Sequence, residues 1–193
     1  DKIGVARNLL KKVNGLIIGG GMANTFLWAA GHPTGASRVE KDKRGDAMAV
    51  LEEAKGTSVE VLLPEDVVVA KEMTRDAETR VVPVSEIPEG WLALDIGPKT
   101  AARFCDAIKK AKTIVWNGPM GVFEMPPFAL GTRAVARAVA DAEAVTIVGG
   151  GDSVAALEKE GLKEGVTHVS TGGGASLEYL EGKALPGIKI LDR

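Results

Sequence analysis

The sequence predicts an α/β protein: a three-layer α/β/α sandwich with a Rossmann-like, mainly parallel sheet of about six strands. Short β-branched runs alternate with longer runs of helical apolar spacing, the order typical of a parallel sheet with helices on both faces. Three of the strand-to-helix transitions pass through a glycine triplet, at 19–21, 149–151 and 172–174. The chain of 193 residues contains 45% hydrophobic and 26% charged residues, as expected for one globular domain.

The first half of the chain contains three expected helices. The spacing of Ile3, Leu9 and Leu10 predicts a helix over 2–12, with lysines on its other face. Helices are also expected over 22–30 and 40–55, and strands over 16–18, 59–63, 66–70 and 81–84. Pro83 removes a backbone donor, so we expect the last of these strands to lie at a sheet edge.

The second half repeats the strand-then-helix order. Strands are expected over 91–96, 113–116, 144–148 and 166–171. Helices are expected from about 98 to 112, over 128–142, and after each of the last two glycine triplets. We see no linker or second domain, so residues 1–193 are interpreted as a single domain.

Composition limits the possible partners. The net charge of −2 does not favour nucleic acid or an anionic membrane surface. The one cysteine, Cys105, excludes an internal disulfide and is typical of a reducing compartment, so we expect a cytoplasmic protein. No secretory signal or membrane-spanning run is visible. Because Asp1 leads directly into a helical pattern, we expect the chain to be a piece of a longer protein.

The triplet at 149–151 is followed by Asp152 and Ser153, and its sequence suits a phosphate site. Glycines allow another group to approach the backbone, and the N–H groups at a helix start attract anions. Asp152 or Ser153 is expected to be the N-cap, and Asp152 could reach a metal ion on the phosphate. The alternative is a tight turn with a capped helix.

Several familiar chemistries are excluded. The chain has no Walker loop, no protein-kinase motifs, no G-x-G-x-x-G fingerprint with its distant acid, no nucleophile elbow and no Cys/His cluster for zinc. What remains is a group of strand-to-helix turns rich in glycine, together with two acidic residues. Asp152 could hold magnesium and Glu124 the hydroxyls of a ribose, although a helix cap and a surface charge are the alternatives.

Seven ordered motifs lie along the chain: DKI at 1–3, IGGGMA at 18–23, LDIGP at 94–98, WNGPMGVFE at 116–124, GGGDS at 149–153, STGGGASLE at 170–178 and LPG at 185–187. Together these motifs resemble those of phosphoglycerate kinases. The resemblance covers essentially the whole chain, which looks like the carboxyl-terminal, nucleotide-binding half of that family.

The resemblance implies a role for each candidate residue. Lys2 would contact the transferring phosphate, Asp152 would bind magnesium, and Glu124 would hold the ribose hydroxyls. The remaining implied contacts are with phosphates (Gly150, Gly151, Ser153 and nearby Asn117), with adenosine (Gly20, Gly21, Gly97 and Pro119) and, through a helix start, with the phosphoryl group in flight (Thr171, Gly172 and Gly173).

The resemblance also implies the reaction: glycolytic phosphoryl transfer between 1,3-bisphosphoglycerate and ADP, with Mg²⁺ bound together with ADP or ATP. Phosphoglycerate would be bound only by the amino-terminal domain, which this chain lacks. We therefore expect the chain to bind nucleotide but to be nearly inactive alone. A non-catalytic nucleotide- or anion-binding module on the same fold is the alternative. A monomer is expected, with weak self-association through any apolar face left uncovered.

Overall fold

The structure, a computed structural model, describes residues 2–172, 178 and 180. Helices and strands alternate through these residues except over 60–96, where four strands follow one another with no α-helix between them. The α-helices are α1 (Lys2–Leu9), α2 (Gly20–Ala29), α3 (Arg44–Lys55), α4 (Pro98–Lys110), α5 (Leu130–Asp141) and α6 (Gly151–Lys159). The strands are β1 (Gly15–Ile17), β2 (Glu60–Leu62), β3 (Asp66–Ala70), β4 (Thr79–Pro83), β5 (Leu92–Ile96), β6 (Thr113–Asn117), β7 (Val145–Gly149) and β8 (His168–Ser170).

The strands pair in three ladders. β1 pairs with β2, and β6, β7 and β8 pair in that order, all parallel. The third ladder, in the order β4-β3-β5, is antiparallel and was not expected. Its geometry follows from the connection over 71–78, which is too short for the crossover that parallel neighbours need. As Pro83 predicted, β4 lies at an edge of its sheet.

Helices cover both faces of the β1–β2 ladder, which gives the expected three layers. On one face, Leu16 and Val61 pack with residues of α1, α2 and α3. On the other face, Ile17 and Leu62 pack with Phe104 of α4 and with residues of α5 and α6. The α/β fold class predicted from the sequence is therefore confirmed.

Two helices that follow glycine triplets begin within the triplets. α2 begins at Gly20, two residues earlier than predicted. α6 begins at Gly151, and its N-cap is Gly150 with φ of 89°. The expectation that Asp152 or Ser153 is the N-cap is therefore wrong, because the glycine turns the chain before either residue is reached. None of the described helices is both long and apolar enough to cross a membrane.

Candidate functional site

The loop that leaves β6 at Asn117 brings two glycine triplets together. A Cβ built on Gly20 would lie 2.7 Å from the carbonyl oxygen of Pro119. A Cβ on Gly150 would lie 3.1 Å from the side-chain nitrogen of Asn117. Since both glycines also have positive φ, a larger residue at either position would strain the backbone and meet this loop. The first two triplets are thus neighbours across residues 117–120.

The start of α6 presents free space. Apart from its chain neighbours and the backbone of α6 itself, no atom of the described residues lies within 4 Å of a Cβ built on Gly151, and Gly151 and Asp152 are both exposed. The backbone N–H groups of the first helical turn have no acceptor within the helix, so they can bind an anion here. The Asp152 carboxylate stands in the same turn, within reach of a cation that accompanies such an anion.

The Ser153 side chain points away from that space. It is fully buried, and its Oγ accepts a hydrogen bond from the Gly118 N–H at 2.6 Å. The indole N–H of Trp116 donates to the Gly118 carbonyl at 2.7 Å, so both backbone groups of Gly118 are bonded. The Nζ of Lys2 lies 3.6 Å from a Cβ built on Gly118. Ser153 therefore fixes the loop beneath Lys2, and only its backbone N–H is oriented for a phosphate.

Two further residues support the loop from behind. The buried hydroxyl of Thr132 accepts the N–H groups of Met120 at 3.0 Å and Gly121 at 3.3 Å. Asp95 packs against Gly121, and its carboxylate accepts the N–H of Gly131 in the first turn of α5 at 2.9 Å. Burial raises the pKa of Asp95 to about 7, although hydrogen bonds from the backbone oppose that rise.

Glu124 lies at the far end of the same loop. Its side chain is exposed, while its carbonyl oxygen accepts a hydrogen bond from Arg75 at 3.1 Å. The preceding carbonyl, that of Phe123, accepts one from Lys159 of α6 at 3.1 Å. The carboxylate is thus held on a bonded backbone and is itself available to a ligand.

Gly97 has a different neighbour. It is buried at the start of α4, and a Cβ there would clash with the carboxylate of Asp66. That carboxylate accepts the N–H groups of Lys99 at 3.1 Å and Thr100 at 2.8 Å. A glycine is therefore needed at position 97 so that α4 can pack closely on β3. Gly21, in contrast, is exposed, and within the part of the chain that the structure describes only its chain neighbours and the α2 backbone come within 4 Å of a built Cβ.

The third triplet is described only at its start. Thr171 and Gly172 are exposed, and the Gly172 N–H donates to the Ser170 hydroxyl at 3.3 Å. The Cβ of Ser170 lies 3.6 Å from a Cβ built on Gly149, which places this corner beside the second triplet. Gly173 lies outside the described residues.

The donor set at α6 fits magnesium bound together with a phosphate. Among residues 2–172, 178 and 180, no three His, Cys, Asp or Glu side chains are grouped so that they could hold a metal ion. Mg²⁺ is commonly bound by one or two carboxylates together with phosphate oxygens and water. One exposed carboxylate, Asp152, beside an anion-binding helix start matches that mode.

Sequence reasoning missed the residues that hold the loop in place. Asp95 had a detectable signal, because a carboxylate inside the strand pattern LALDI must be paired or neutralised when it is buried. Thr132, Arg75 and Lys159 had none, since their partners are backbone groups of another segment, and residue type does not show which backbone groups a side chain will reach. Such contacts depend on tertiary structure.

Fold and site together define a Rossmann-like α/β protein whose candidate ligand site lies at the carboxyl ends of parallel strands, a usual place for ligands in this architecture. The family model described as phosphoglycerate kinase matches residues 1–183. The chain belongs to the phosphoglycerate kinase family.

Individual relatives agree with the family model. Phosphoglycerate kinase of Herpetosiphon aurantiacus is 58% identical over 192 residues, which are 100% of this chain and 49% of that protein. The enzyme of Moorella thermoacetica is 60% identical over 191 residues, 99% of this chain and 49% of that protein. The chain spans about half the length of the curated relatives it matches.

Solved structures of the family share the fold. Phosphoglycerate kinase from Coxiella burnetii superposes with a TM-score of 0.95 at 48% identity, over 98% of this chain and 49% of that one. The enzyme from Pyrococcus horikoshii gives a TM-score of 0.82 at 32% identity, over 99% of this chain and 48% of that one. The described architecture is therefore that of about half of a phosphoglycerate kinase.

Proposed function

We propose that this chain is the carboxyl-terminal, nucleotide-binding half of a phosphoglycerate kinase and that it binds ADP or ATP together with Mg²⁺. The observation that carries the proposal is the grouping of Gly20, Gly150 and Lys2 around residues 117–120, beside an exposed Asp152. This arrangement offers backbone donors, a cation and a metal-binding carboxylate along one sheet edge. Those are the components that phosphoryl transfer requires of the nucleotide side.

Each residue then has a specific task. The first-turn N–H groups of Gly151, Asp152 and Ser153 bind phosphate oxygens, and Asp152 holds the metal ion. Bound Mg²⁺ supplies neutralisation of the phosphate charge. Lys2 adds positive charge above Gly118, and the hydroxyl of Ser153 keeps Gly118 in place. Positioning and charge neutralisation carry most of the catalysis in this reaction class.

The remaining assignments follow the family. The adenosine would lie against Gly20, Gly21 and Pro119, with Asn117 near the phosphates. Gly97 would contribute to the adenosine site indirectly, by allowing the start of α4 to pack closely on β3. Thr171 and Gly172, with Gly173, would direct N–H groups toward the transferring phosphoryl group. We further propose that the chain is a cytoplasmic monomer and that phosphoglycerate binds to the other half of the enzyme.

Calorimetry with one substitution tests the metal-binding role. The Asp152→Ala variant should lose affinity for ADP with magnesium much more than for ADP with a chelator, because only the metal depends on the carboxylate. Asp141→Ala is the matched control. Asp141 is also an exposed aspartate, but it lies at the end of α5, just before β7 begins, and so at the opposite edge.

The outcomes separate the parts of the proposal. Equal losses with and without magnesium would remove the metal role of Asp152. Failure of the unaltered chain to bind MgADP at millimolar concentration would overturn nucleotide binding.

A turnover assay tests whether the phosphoglycerate site lies in the other half of the enzyme. In a coupled assay with 1,3-bisphosphoglycerate and MgADP, the chain alone should give negligible turnover, because the basic site for phosphoglycerate would lie in the other half. Near-normal turnover would contradict the assignment of the substrate site to that half.

A further inference from the structure

The backbone of residues 121–125 is bonded along its length. The N–H of Val122 donates to the Leu94 carbonyl at 3.0 Å, and the N–H of Met125 donates to the Val122 carbonyl at 3.0 Å. Between them, the Phe123 side chain is 7% exposed and packs in the core beside Met120. Glu124 is the residue of this segment whose side chain is classed as exposed.

Two cations from separate elements bond to consecutive carbonyl oxygens of this segment. Arg75, in the connection between β3 and β4, donates to the Glu124 carbonyl at 3.1 Å. Lys159, the last residue of α6, donates to the Phe123 carbonyl at 3.1 Å. A charged donor makes a stronger hydrogen bond to a carbonyl than a neutral donor does. The two peptide groups on either side of the Glu124 Cα are therefore both restrained.

We infer that Arg75 and Lys159 are positioning residues that direct the Glu124 carboxylate toward the ribose hydroxyls of the bound nucleotide. The inference rests on the proposed nucleotide binding and on the ribose-binding role that the family resemblance implies for Glu124. The direction of the Cα–Cβ bond is set by the two peptide planes that meet at the Cα. Hydrogen bonds to both carbonyls therefore fix the direction in which the Glu124 side chain leaves the backbone. Lys159 and Asp152 both lie on α6. The hydrogen bond from Lys159 therefore also fixes the position of Glu124, the proposed ribose ligand, relative to Asp152, the proposed metal ligand.

This arrangement gives the antiparallel β3–β4 hairpin a role at the site, because its connection carries Arg75. The β3–β4 connection has no counterpart in a purely parallel α/β sheet, and its Arg75 reaches the loop that follows β6. Arg80, on the adjoining strand β4, instead lies over the Trp91 ring with 4.4 Å between the guanidinium carbon and the ring centre. The two arginines are thus neighbours in sequence with different contacts.

Nucleotide binding by matched variants tests the inference. The variants are Arg75→Gln and Lys159→Gln, with Arg80→Gln and Lys163→Gln as controls of equal charge change. Lys163 instead pairs with Glu158 at 2.8 Å. Dissociation constants are measured by calorimetry for MgADP and for the magnesium complex of 2′,3′-dideoxy-ADP, which lacks both ribose hydroxyls.

Arg75→Gln and Lys159→Gln should each weaken MgADP binding about threefold to tenfold, because the nucleotide must then order the Glu124 segment, at a cost comparable to one hydrogen bond that the free protein no longer makes. Binding of the dideoxy nucleotide should change little, so the preference for ADP should fall. The controls should keep that preference. In a Glu124→Gln background, Arg75→Gln should cause no further loss, since the carboxylate through which it acts is gone. Equal losses for both nucleotides, or an unchanged preference, would overturn the inference.

Hydrogen exchange without nucleotide provides a separate test. The Val122 amide is bonded to the Leu94 carbonyl of β5 and the Met125 amide to the Val122 carbonyl, and both should exchange faster in Arg75→Gln and Lys159→Gln than in the two controls. Unchanged exchange would show that the cations do not restrain the segment, and the inference would fail. If the unaltered chain does not bind MgADP, the proposed function fails instead, whatever the exchange shows.

Discussion

Asp95 links a single ionisation to the stability of the fold. Its side chain is 4% exposed, and burial raises its pKa to about 7 from the ordinary value of 3.8. The folded state therefore keeps a proton that the unfolded chain releases between about pH 4 and pH 7. The contribution of Asp95 to the free energy of unfolding is fully present below about pH 4 and is lost as the pH rises through about 7.

Asp95→Asn should remove this pH dependence. The amide cannot ionise, so the variant should be most destabilised relative to wild type near pH 4.5 and least near pH 7.5. The difference should shrink by at most about 1.4 kcal/mol per pH unit. Urea unfolding across this range measures it. Asp141→Asn, an exposed aspartate at the end of α5, serves as control, and a difference of the same pH dependence in both variants would refute the assignment to Asp95.

Thr100 carries the hydrogen bonds between β3 and α4. Its buried hydroxyl accepts the N–H groups of Glu65 and Asp66, each at 3.0 Å, and donates to the Asp66 carboxylate at 2.6 Å. Thr100→Val keeps the shape but leaves these donors unpaired, so it should lower the free energy of unfolding by about 1–3 kcal/mol. Thr100→Ser retains the hydroxyl and should lose much less. A larger loss in Thr100→Ser than in Thr100→Val on chemical denaturation would mean that packing of the methyl group, which only the serine variant lacks, outweighs hydrogen bonding.

The turn from β7 into α6 offers a paired test of two adjacent glycines. Gly150 has φ of 89° and faces Asn117, whereas Gly151 is the first residue of α6 and has open space around it. Gly150→Ala should destabilise the fold by about 1–2 kcal/mol, because a side chain is disfavoured in the left-handed region. Gly151→Ala should leave stability nearly unchanged and weaken nucleotide binding, because its methyl group occupies the space proposed for phosphate. Thermal unfolding and calorimetry separate the two effects, and a stable Gly150→Ala would contradict the strain argument.

The elements that the sequence predicted well are those with local signals. Periodic apolar spacing and the glycine triplets located the helices and the parallel strands, because both depend on residues close in the chain. The pairing of β3 with β4 and β5 was not predicted, since β-branched runs such as 66–70 suit either pairing direction. The N-cap of α6 was wrongly predicted, because a polar residue after glycines resembles a cap until the backbone turn is known.

In the candidate site, too, features with a local sequence signal were predicted and features that depend on tertiary structure were not. Its glycine corners and Asp152 were found from residue types and order. The burial of the Ser153 hydroxyl against Gly118 was not, since the residue type that binds a phosphate can equally bind a backbone N–H. Supports such as Arg75 and Lys159 depend on distances between elements far apart in the chain, which sequence spacing does not encode.

The molecule as a whole should unfold as one unit around the site. The β1–β2 ladder lies between the two largest packed clusters of the described residues, and the loop after β6 touches both sides. On that loop, Met120 meets Gly19 before α2, and Gly118 lies beneath Lys2 of α1. A nucleotide that lies on this loop and the start of α6, and also on Gly20 and Gly21 of α2 as proposed, contacts elements of both clusters. Its binding energy should therefore stabilise the entire domain rather than one end.

Thermal and urea unfolding with increasing MgADP test this coupling. A ligand that binds only the folded state at about 100 times its Kd adds about 2.7 kcal/mol to the free energy of unfolding. For a domain of this size, that corresponds to a rise in Tm of about 5–10 °C. The transition should stay single, and its urea midpoint should rise without a change in slope, because the ligand alters stability but not the surface exposed on unfolding. Two transitions, with only one shifted by MgADP, would show instead that the β1–β2 ladder does not join the clusters into one cooperative unit.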